Sequence, residues 1–197
     1  MLSQLRPAIV STLFFTLLLG VGYPLVVTGI GQLAFPAQAG GSLVRNAQGQ
    51  VIGSLLIAQD FTTPQYLHPR PSAAGADGYD ASGSSGSNLG PLNPDLAKRV
   101  SDGASAWRAE NGGVAPADAV TTSGSGLDPD ISPANAQGQA ARIAAARSLP
   151  VAAVQQVIAA HTQGRWLGVF GQPRVNVLQT NLALDATASK AAQDAPR

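Results

Sequence analysis

The sequence predicts an α+β protein in which one N-terminal transmembrane helix is followed by a single soluble α+β domain. Three features carry that expectation: a charge-free apolar stretch near the start, strand-forming runs near both ends of the remainder, and capped helix starts between them. At 197 residues the chain holds one domain with a core and one further element. Read in order, residues 1–6 form a short N-terminus, 7–33 the membrane helix, 34–41 a linker, 42–184 the α+β domain and 185–197 a frayed tail.

The span comes first. Between Arg6 and Arg45 there is no Asp, Glu, Lys, Arg or His, and residues 8–33 are almost wholly apolar. As a helix this segment reaches roughly 39 Å, more than the ~30 Å of a hydrocarbon core. Pro7 falls in the first turn, where a helix tolerates proline, whereas Pro24 is expected to kink the helix or end its regular part near Tyr23. Ala37-Gln38-Ala39 has the small-x-small form of a cleavage site, so a cleaved leader is the rival reading. The apolar run far exceeds the ~7–15 residues of a leader's core, which favours a retained anchor in a lipid bilayer. Arg6 before the span leans towards a cytoplasmic N-terminus. Ala8, Thr12, Thr16 and Gly20 recur every fourth residue, a small face suited to close helix packing in lipid. Gly29-Ile30-Gly31-Gln32-Leu33-Ala34 matches a dinucleotide fingerprint by letters, but no strand precedes it and no acidic residue follows at the required distance.

In the soluble part, residues 42–59 read as a hairpin: Leu43 and Val44, the turn Asn46-Ala47-Gln48-Gly49, then a β-branched run from Val51 to Ile57. Residues 72–93, dominated by Gly, Ser, Ala and Pro, are a long loop. A helix starts with Asn93 as N-cap, Pro94 and Asp95 and ends at Gly112-Gly113, with Leu96, Val100 and Trp107 facing inward. A second starts at Ser132-Pro133 and runs to about Arg147. A third starts at Pro150, with Val151, Val154, Val157 and Ile158 at helical spacing, and ends near Gly164. Residues 166–170 and 175–178 are rich in strand formers and close the domain as strands.

The chemistry-bearing residues are few. With 12 Lys+Arg against 11 Asp+Glu, there is no electrostatic footprint for nucleic acid. The absence of cysteine excludes disulfides and thiolate chemistry. His68 and His161 are the only histidines and no G-x-S-x-G elbow occurs, so no catalytic residue is expected and both rings read as structural. Asp128-Pro129-Asp130-Ile131-Ser132 mimics the start of a calcium loop, but Pro133 and Gln139 stand where glycine and a bidentate Glu are needed, so no metal site is expected. Asp130 instead lies just before a helix start, where a carboxylate is favourable. Ser123-Gly124-Ser125-Gly126-Leu127 lacks the lysine of a phosphate loop and reads as a tight turn, so the domain is expected to bind no ATP by itself.

Taken in order, the segments resemble the C subunit of the bacterial potassium-transporting Kdp-type P-type ATPase. The resemblance rests on Arg6-Pro7-Ala8 and Tyr23-Pro24, Gly53-Ser54-Leu55-Leu56-Ile57 with Phe61, Arg70-Pro71-Ser72-Ala73, and Gly86-Ser87-Asn88-Leu89-Gly90-Pro91 with Asn93-Pro94. It continues through Val120-Thr121, Ser123-Gly124-Ser125-Gly126-Leu127-Asp128-Pro129, Gln139 with Arg142, and Val175-Asn176-Val177-Leu178 with Asn181, covering nearly the whole chain. It implies a non-catalytic subunit that works beside a channel-like potassium-translocating subunit, a P-type ATP-hydrolysing subunit and a small single-span subunit. It also implies a periplasmic domain on the bacterial inner membrane, and a catalytic-chaperone role that raises the ATP affinity of the hydrolysing subunit. ATP and Mg then belong to the partner, with none bound directly, and the effect on ATP is indirect. The alternative is a free-standing anchored binding or hydrolytic domain.

A loop whose own composition buries so little gains its order from contacts, either with the rest of the domain or with a partner. The expected docking surface on the translocating subunit is therefore residues 70–91 with the turn 123–129: Arg70, Ser72, Ser87, Asn88, Leu89, Ser123, Gly124, Ser125 and Asp128. The alternative is that Arg70 pairs with Asp128 inside the domain and the loop wraps its own core.

Overall fold

The computed structural model describes residues 2–193 and divides into two compact units, Met1–Ile52 and Gly53–Arg197. The first is dominated by α1, Leu5–Ala34, none of which is buried and which is long and apolar enough to cross a membrane. Regular α-helix is interrupted just before Tyr23, as expected of Pro24, but the helix does not end there. The α-helix Leu5–Leu17 widens into a π turn at Leu18–Gly22 and resumes as α-helix over Tyr23–Ala34. Proline cannot donate to the preceding turn and its ring crowds it; the wider turn, with Tyr23 N–H on Leu18 O, accommodates both faults while the helix continues. Ala8, Thr12 and Thr16 lie on the first segment and Gly20 in the π turn, where an added Cβ would sit 4.0 Å from Thr16 Cγ2. The fingerprint-like glycines Gly29 and Gly31 fall inside the helix.

A short helix, Pro36–Ala39 (α2), leads to β1, Leu43–Arg45, and β2, Val51–Ser54, which pair as a two-stranded sheet. The turn is held by the Asn46 side-chain oxygen, which accepts from Gln48 and Gln50 N–H. The second strand stops at Ser54, short of the expected Ile57, because Ser54 Oγ accepts the Leu56 N–H and turns the chain.

The second unit then runs from residue 55 to 93 without helix or strand. Helix α3, Pro94–Asn111, begins as expected, with Asn93 Oδ1 accepting from Asp95 N–H. Trp107 is buried on it, while Leu96 and Val100 are half-buried. After α4, Ala117–Val120, and β3, Asp130–Ile131, Ser132 Oγ caps α5, Pro133–Gly138. The single helix expected as far as Arg147 is interrupted for one residue at Gln139 before α6, Ala140–Arg147. Helix α7, Val151–Ala160, stops before Gly164, because Thr162–Gln163 (β4) joins a sheet.

That sheet has the order β3-β5-β4, all antiparallel, with β5 spanning Arg174–Asn176. Three expectations differ from the structure at this end of the chain. Leu178 is helical, because the Asn176 carboxamide oxygen accepts from Gln179 N–H and starts α8, Val177–Gln193, straight from the strand. The tail expected to fray from residue 185 is helix as far as Gln193, and Asp185 is held by Arg147 Nη2 at 2.7 Å and Tyr66 Oη at 3.1 Å. Residues 166–170 form a tight reversal closed by a single Trp166–Phe170 bridge in place of a strand. The core packs Leu67, Ile131, Ile143, Val154, Ile158, Val175, Val177 and Leu184 with the small Ala136, Ala140 and Ala144.

Candidate functional site

The irregular segment poses the central problem of the domain, because extended backbone buried without a strand partner leaves donors and acceptors unpaired. Two carboxamides solve it. Asn181, on α8, accepts the Leu67 N–H at 2.7 Å and donates to the Leu67 carbonyl at 3.1 Å. Gln139 accepts the His68 N–H at 2.8 Å and donates to the His68 carbonyl at 3.1 Å. Each amide copies the donor–acceptor pair of a missing strand residue.

Gln139 carries the arrangement further. Its nitrogen also donates to Asn135 Oδ1 at 2.7 Å and its oxygen also accepts from Arg142 Nη2 at 2.6 Å, so both donors and both lone pairs are used. Asn135 in turn donates to Asp118, whose carboxylate also accepts from Ser132 N–H and Oγ. Arg142 reaches Asn111 Oδ1 at 2.9 Å and the Pro64 carbonyl at 2.7 Å. The result is one polar lattice joining α3, α4, α5 and α6 to the loop.

Beside the lattice is a cleft of about 330 Å³, lined by Asp60, Phe61, His68, Tyr79, Trp107 and Glu110 among others. Arg142 Nη1 lies 3.2 Å from His68 Nε2, with the Thr63 carbonyl 3.1 Å from the same nitrogen. Arg142 can only donate to Nε2 and the Thr63 carbonyl can only accept from it, so the neutral ring satisfies one of the two according to its tautomer, while Nδ1 faces Glu110 at 3.7 Å. Burial, then the Arg142 charge, hold the imidazole below its usual value despite the opposing Thr63 carbonyl and the carboxylates Glu110 and Asp60. Tyr79, whose hydroxyl donates to the Arg70 carbonyl at 2.8 Å, is pushed up to about 12, mainly by burial and further by Asp60. His161 Nδ1 bonds the Val157 carbonyl. The described partners of both rings are carbonyl, guanidinium and carboxylate groups, with no hydroxyl among them.

The residues expected to dock divide into two groups. Arg70 donates to Asp128 at 3.1 Å and to the Thr122 carbonyl at 3.2 Å, as in the intradomain alternative. Ser72 Oγ donates to the Gly126 carbonyl and accepts from Ala74 and Tyr79 N–H, while Ser123 is buried against Ser125. Ser85 N–H donates to the Ser125 carbonyl at 2.9 Å, so the loop closes around the turn 123–129. Asn88 and Gly124 are exposed, and Ser87 and Leu89 are half-buried. The calcium-like motif is spent elsewhere: Asp128 Oδ1 accepts Asp130 N–H, and Asp130 pairs with Arg174 at 2.9 Å and Asn176 at 3.1 Å. Burial raises the Asp130 carboxyl against the pull of those two partners. Among the described residues, no group of three or more His, Asp or Glu is placed to hold a metal ion.

Sequence reasoning missed the lattice, although Asn135, Gln139 and Arg142 stand at i, i+4 and i+7, the spacing of one helix face. It also missed the carboxamide pairing of Leu67 and His68.

One apolar helix able to cross a membrane, joined to a small α+β domain, defines a single-span membrane-anchored protein. The chain belongs to the KdpC family, "K+-transporting ATPase, c chain", whose profile matches residues 5–186. It is similar to the potassium-transporting ATPase KdpC subunit of Caulobacter sp. (strain K31), 68% identical over 187 residues, covering 94% of this chain and 95% of the relative. The corresponding subunit of Caulobacter vibrioides (strain NA1000 / CB15N) is 65% identical, with 94% of each chain covered. That of Beijerinckia indica subsp. indica is 62% identical, over 94% of this chain and 95% of the relative.

Proposed function

We propose that the chain is a non-catalytic accessory subunit of a high-affinity, ATP-driven potassium uptake complex. It stabilises the assembly of a potassium-translocating channel-like subunit, a P-type ATP-hydrolysing subunit and a small single-span subunit, and raises the ATP affinity of the hydrolysing subunit. Its domain lies on the periplasmic side of the inner membrane, a placement supported by Arg6 before the span. ATP is cytoplasmic, so the effect on its binding passes through the membrane subunits, and neither ATP nor Mg is bound by this chain. The observation that carries a scaffolding role is the use of the polar side chains: Gln139, Asn181, Arg70 and Arg142 all bond the domain's own backbone. Within the expected docking surface, the exposed Asn88 and Gly124, with Ser87 and Leu89, are the part offered to the translocating subunit.

Purification in mild detergent from membranes holding all subunits tests the assembly, with stoichiometric co-purification expected. The ATP affinity of the hydrolysing subunit is then compared with and without this chain. Recovery of the chain alone, or saturable ATP binding to it that is lost on changing Ser125 or Gly126, would sink the reading.

A further inference from the structure

Single exposed apolar side chains such as Leu92 and Val114 are scattered over the soluble domain, but one short segment gathers four of them. In the reversal between α7 and β5, Trp166, Leu167, Val169 and Phe170 are 69%, 71%, 71% and 60% exposed. They are contiguous, and soluble surfaces rarely leave such a group uncovered without a reason.

The reversal is preformed. Trp166 N–H donates to the Phe170 carbonyl at 2.9 Å, Phe170 and Val169 N–H return to the Trp166 carbonyl at 3.0 and 3.2 Å, and Gly168 N–H donates to the Arg165 carbonyl at 3.1 Å. These four N–H groups already have partners, so covering the tip orphans none of them. The Trp166 and Phe170 rings pack tilted at 5.7 Å between centroids. Leu167 is held at φ 51° and Gly168 at φ 75°, and a left-handed leucine is a conformation that the surroundings must impose. The rim is polar: Arg165 reaches Gln172 Oε1 at 3.4 Å, and Arg174 pairs with Asp130 at 2.9 Å.

We propose that this knob seats in an apolar cleft, rimmed by hydrogen-bond acceptors for Arg165, on another integral subunit of the same ATPase. The inference rests on the accessory-subunit reading above and adds a second contact, separate from the segment around Asn88. A rigid aromatic centre inside a polar rim is the anatomy of a protein interface, where tryptophan anchors carry a disproportionate share of affinity. A lipid surface offers no fixed shape for a strained, preformed knob to match. It also draws on clusters of about four to eight basic residues, whereas Arg174 is neutralised by Asp130 and only Arg165 adds charge here.

The test uses the full chain co-expressed with the other subunits. Trp166→Ala with Phe170→Ala is expected to lower co-purification in mild detergent at least tenfold, while the Trp107 emission and the unfolding midpoint of the free chain stay at the wild-type value. Trp166 emission, taken as the difference between wild type and Trp166→Phe, is expected to shift to the blue only on assembly. Undiminished co-purification of the double variant overturns the proposal, and so does an unshifted Trp166. Quenching of Trp166 by brominated lipid in nanodiscs holding this chain alone assigns the knob to the bilayer and overturns it as well. If the wild type itself fails to co-purify, the accessory-subunit reading has failed first, which separates the two.

Discussion

The Asn181 carboxamide gives the sharpest test of how the loop is held. Asn181 is 1% exposed and Leu67 0%, so Asn181→Ala leaves the Leu67 N–H and carbonyl buried with no partner. Each orphaned buried group costs about 1–3 kcal/mol, so the two together amount to roughly 2–6 kcal/mol. Water entering the space left by the truncated side chain recovers part, which leaves an expected loss of about 3 kcal/mol. That is a large fraction of the ~5–15 kcal/mol typical of a domain. Asn181→Asp retains an acceptor for the Leu67 N–H but turns an oxygen towards the Leu67 carbonyl and buries a charge. It should therefore lose at least as much at neutral pH and regain part as acid protonates the carboxyl. The assay is urea unfolding of the full chain in mild detergent, followed by the fluorescence of the buried Trp107. A loss below about 1 kcal/mol for Asn181→Ala, or a fully stable Asn181→Asp at neutral pH, would refute the carboxamide-clamp account.

Further outcomes follow from the structure. Gly126 sits at φ 67°, and an added Cβ would press on the Ser85 carbonyl and lie 2.9 Å from Ala74 N, so Gly126→Ala should cost about 2–4 kcal/mol. Gly124→Ala, with nothing near the added methyl, should unfold at the wild-type midpoint. His68 has its folded-state pKa below its usual value, so its contribution is present above the ordinary histidine range and is lost as pH falls through the folded value. The urea midpoint should therefore drop between pH 7 and pH 5 by more in the wild type than in His68→Gln. Arg70→Ala should lower the stability of the free chain by about 1–3 kcal/mol, whereas Asn88→Ala, which loses only the ease of asparagine at φ 51°, should cost about 1 kcal/mol and reduce potassium-stimulated ATPase activity of the assembly. Thr16→Leu with Gly20→Leu should leave membrane insertion intact but weaken co-purification, because bulk on the small face blocks helix approach; equal recovery would mean that this face meets lipid.

Local signals carried a large part of the architecture. The span was legible because a charge-free run of that length has few alternatives, and the starts at Asn93 and Ser132 because a cap and its N–H partner lie within three residues. The same local rules misjudged Val177 and Leu178. Their strand-forming side chains outweighed Asn176, whose capping oxygen turns the chain into a helix. For Arg70 the sequence left two outcomes open, and the pairing with Asp128, 58 residues away, was decided by folding alone.

The sequence by itself therefore determined the class, the family and the helix starts at Asn93, Ser132 and Pro150, since these follow from composition, caps and motif order along the chain. Tertiary structure alone decided how the loop is held and what the reversal displays. The partners in the clamps, Leu67 with Asn181 and His68 with Gln139, lie 114 and 71 residues apart. Nothing in the sequence near Leu67 or His68 states that a strand partner will be missing, and a carboxamide can replace one only when helices packed elsewhere bring it within hydrogen-bond reach. The knob followed the same logic in reverse. Trp166, Leu167, Val169 and Phe170 read as strand residues because a linear pattern records hydrophobicity, whereas their exposure arises from the pairing of β4 with β5, which leaves the reversal outside the core.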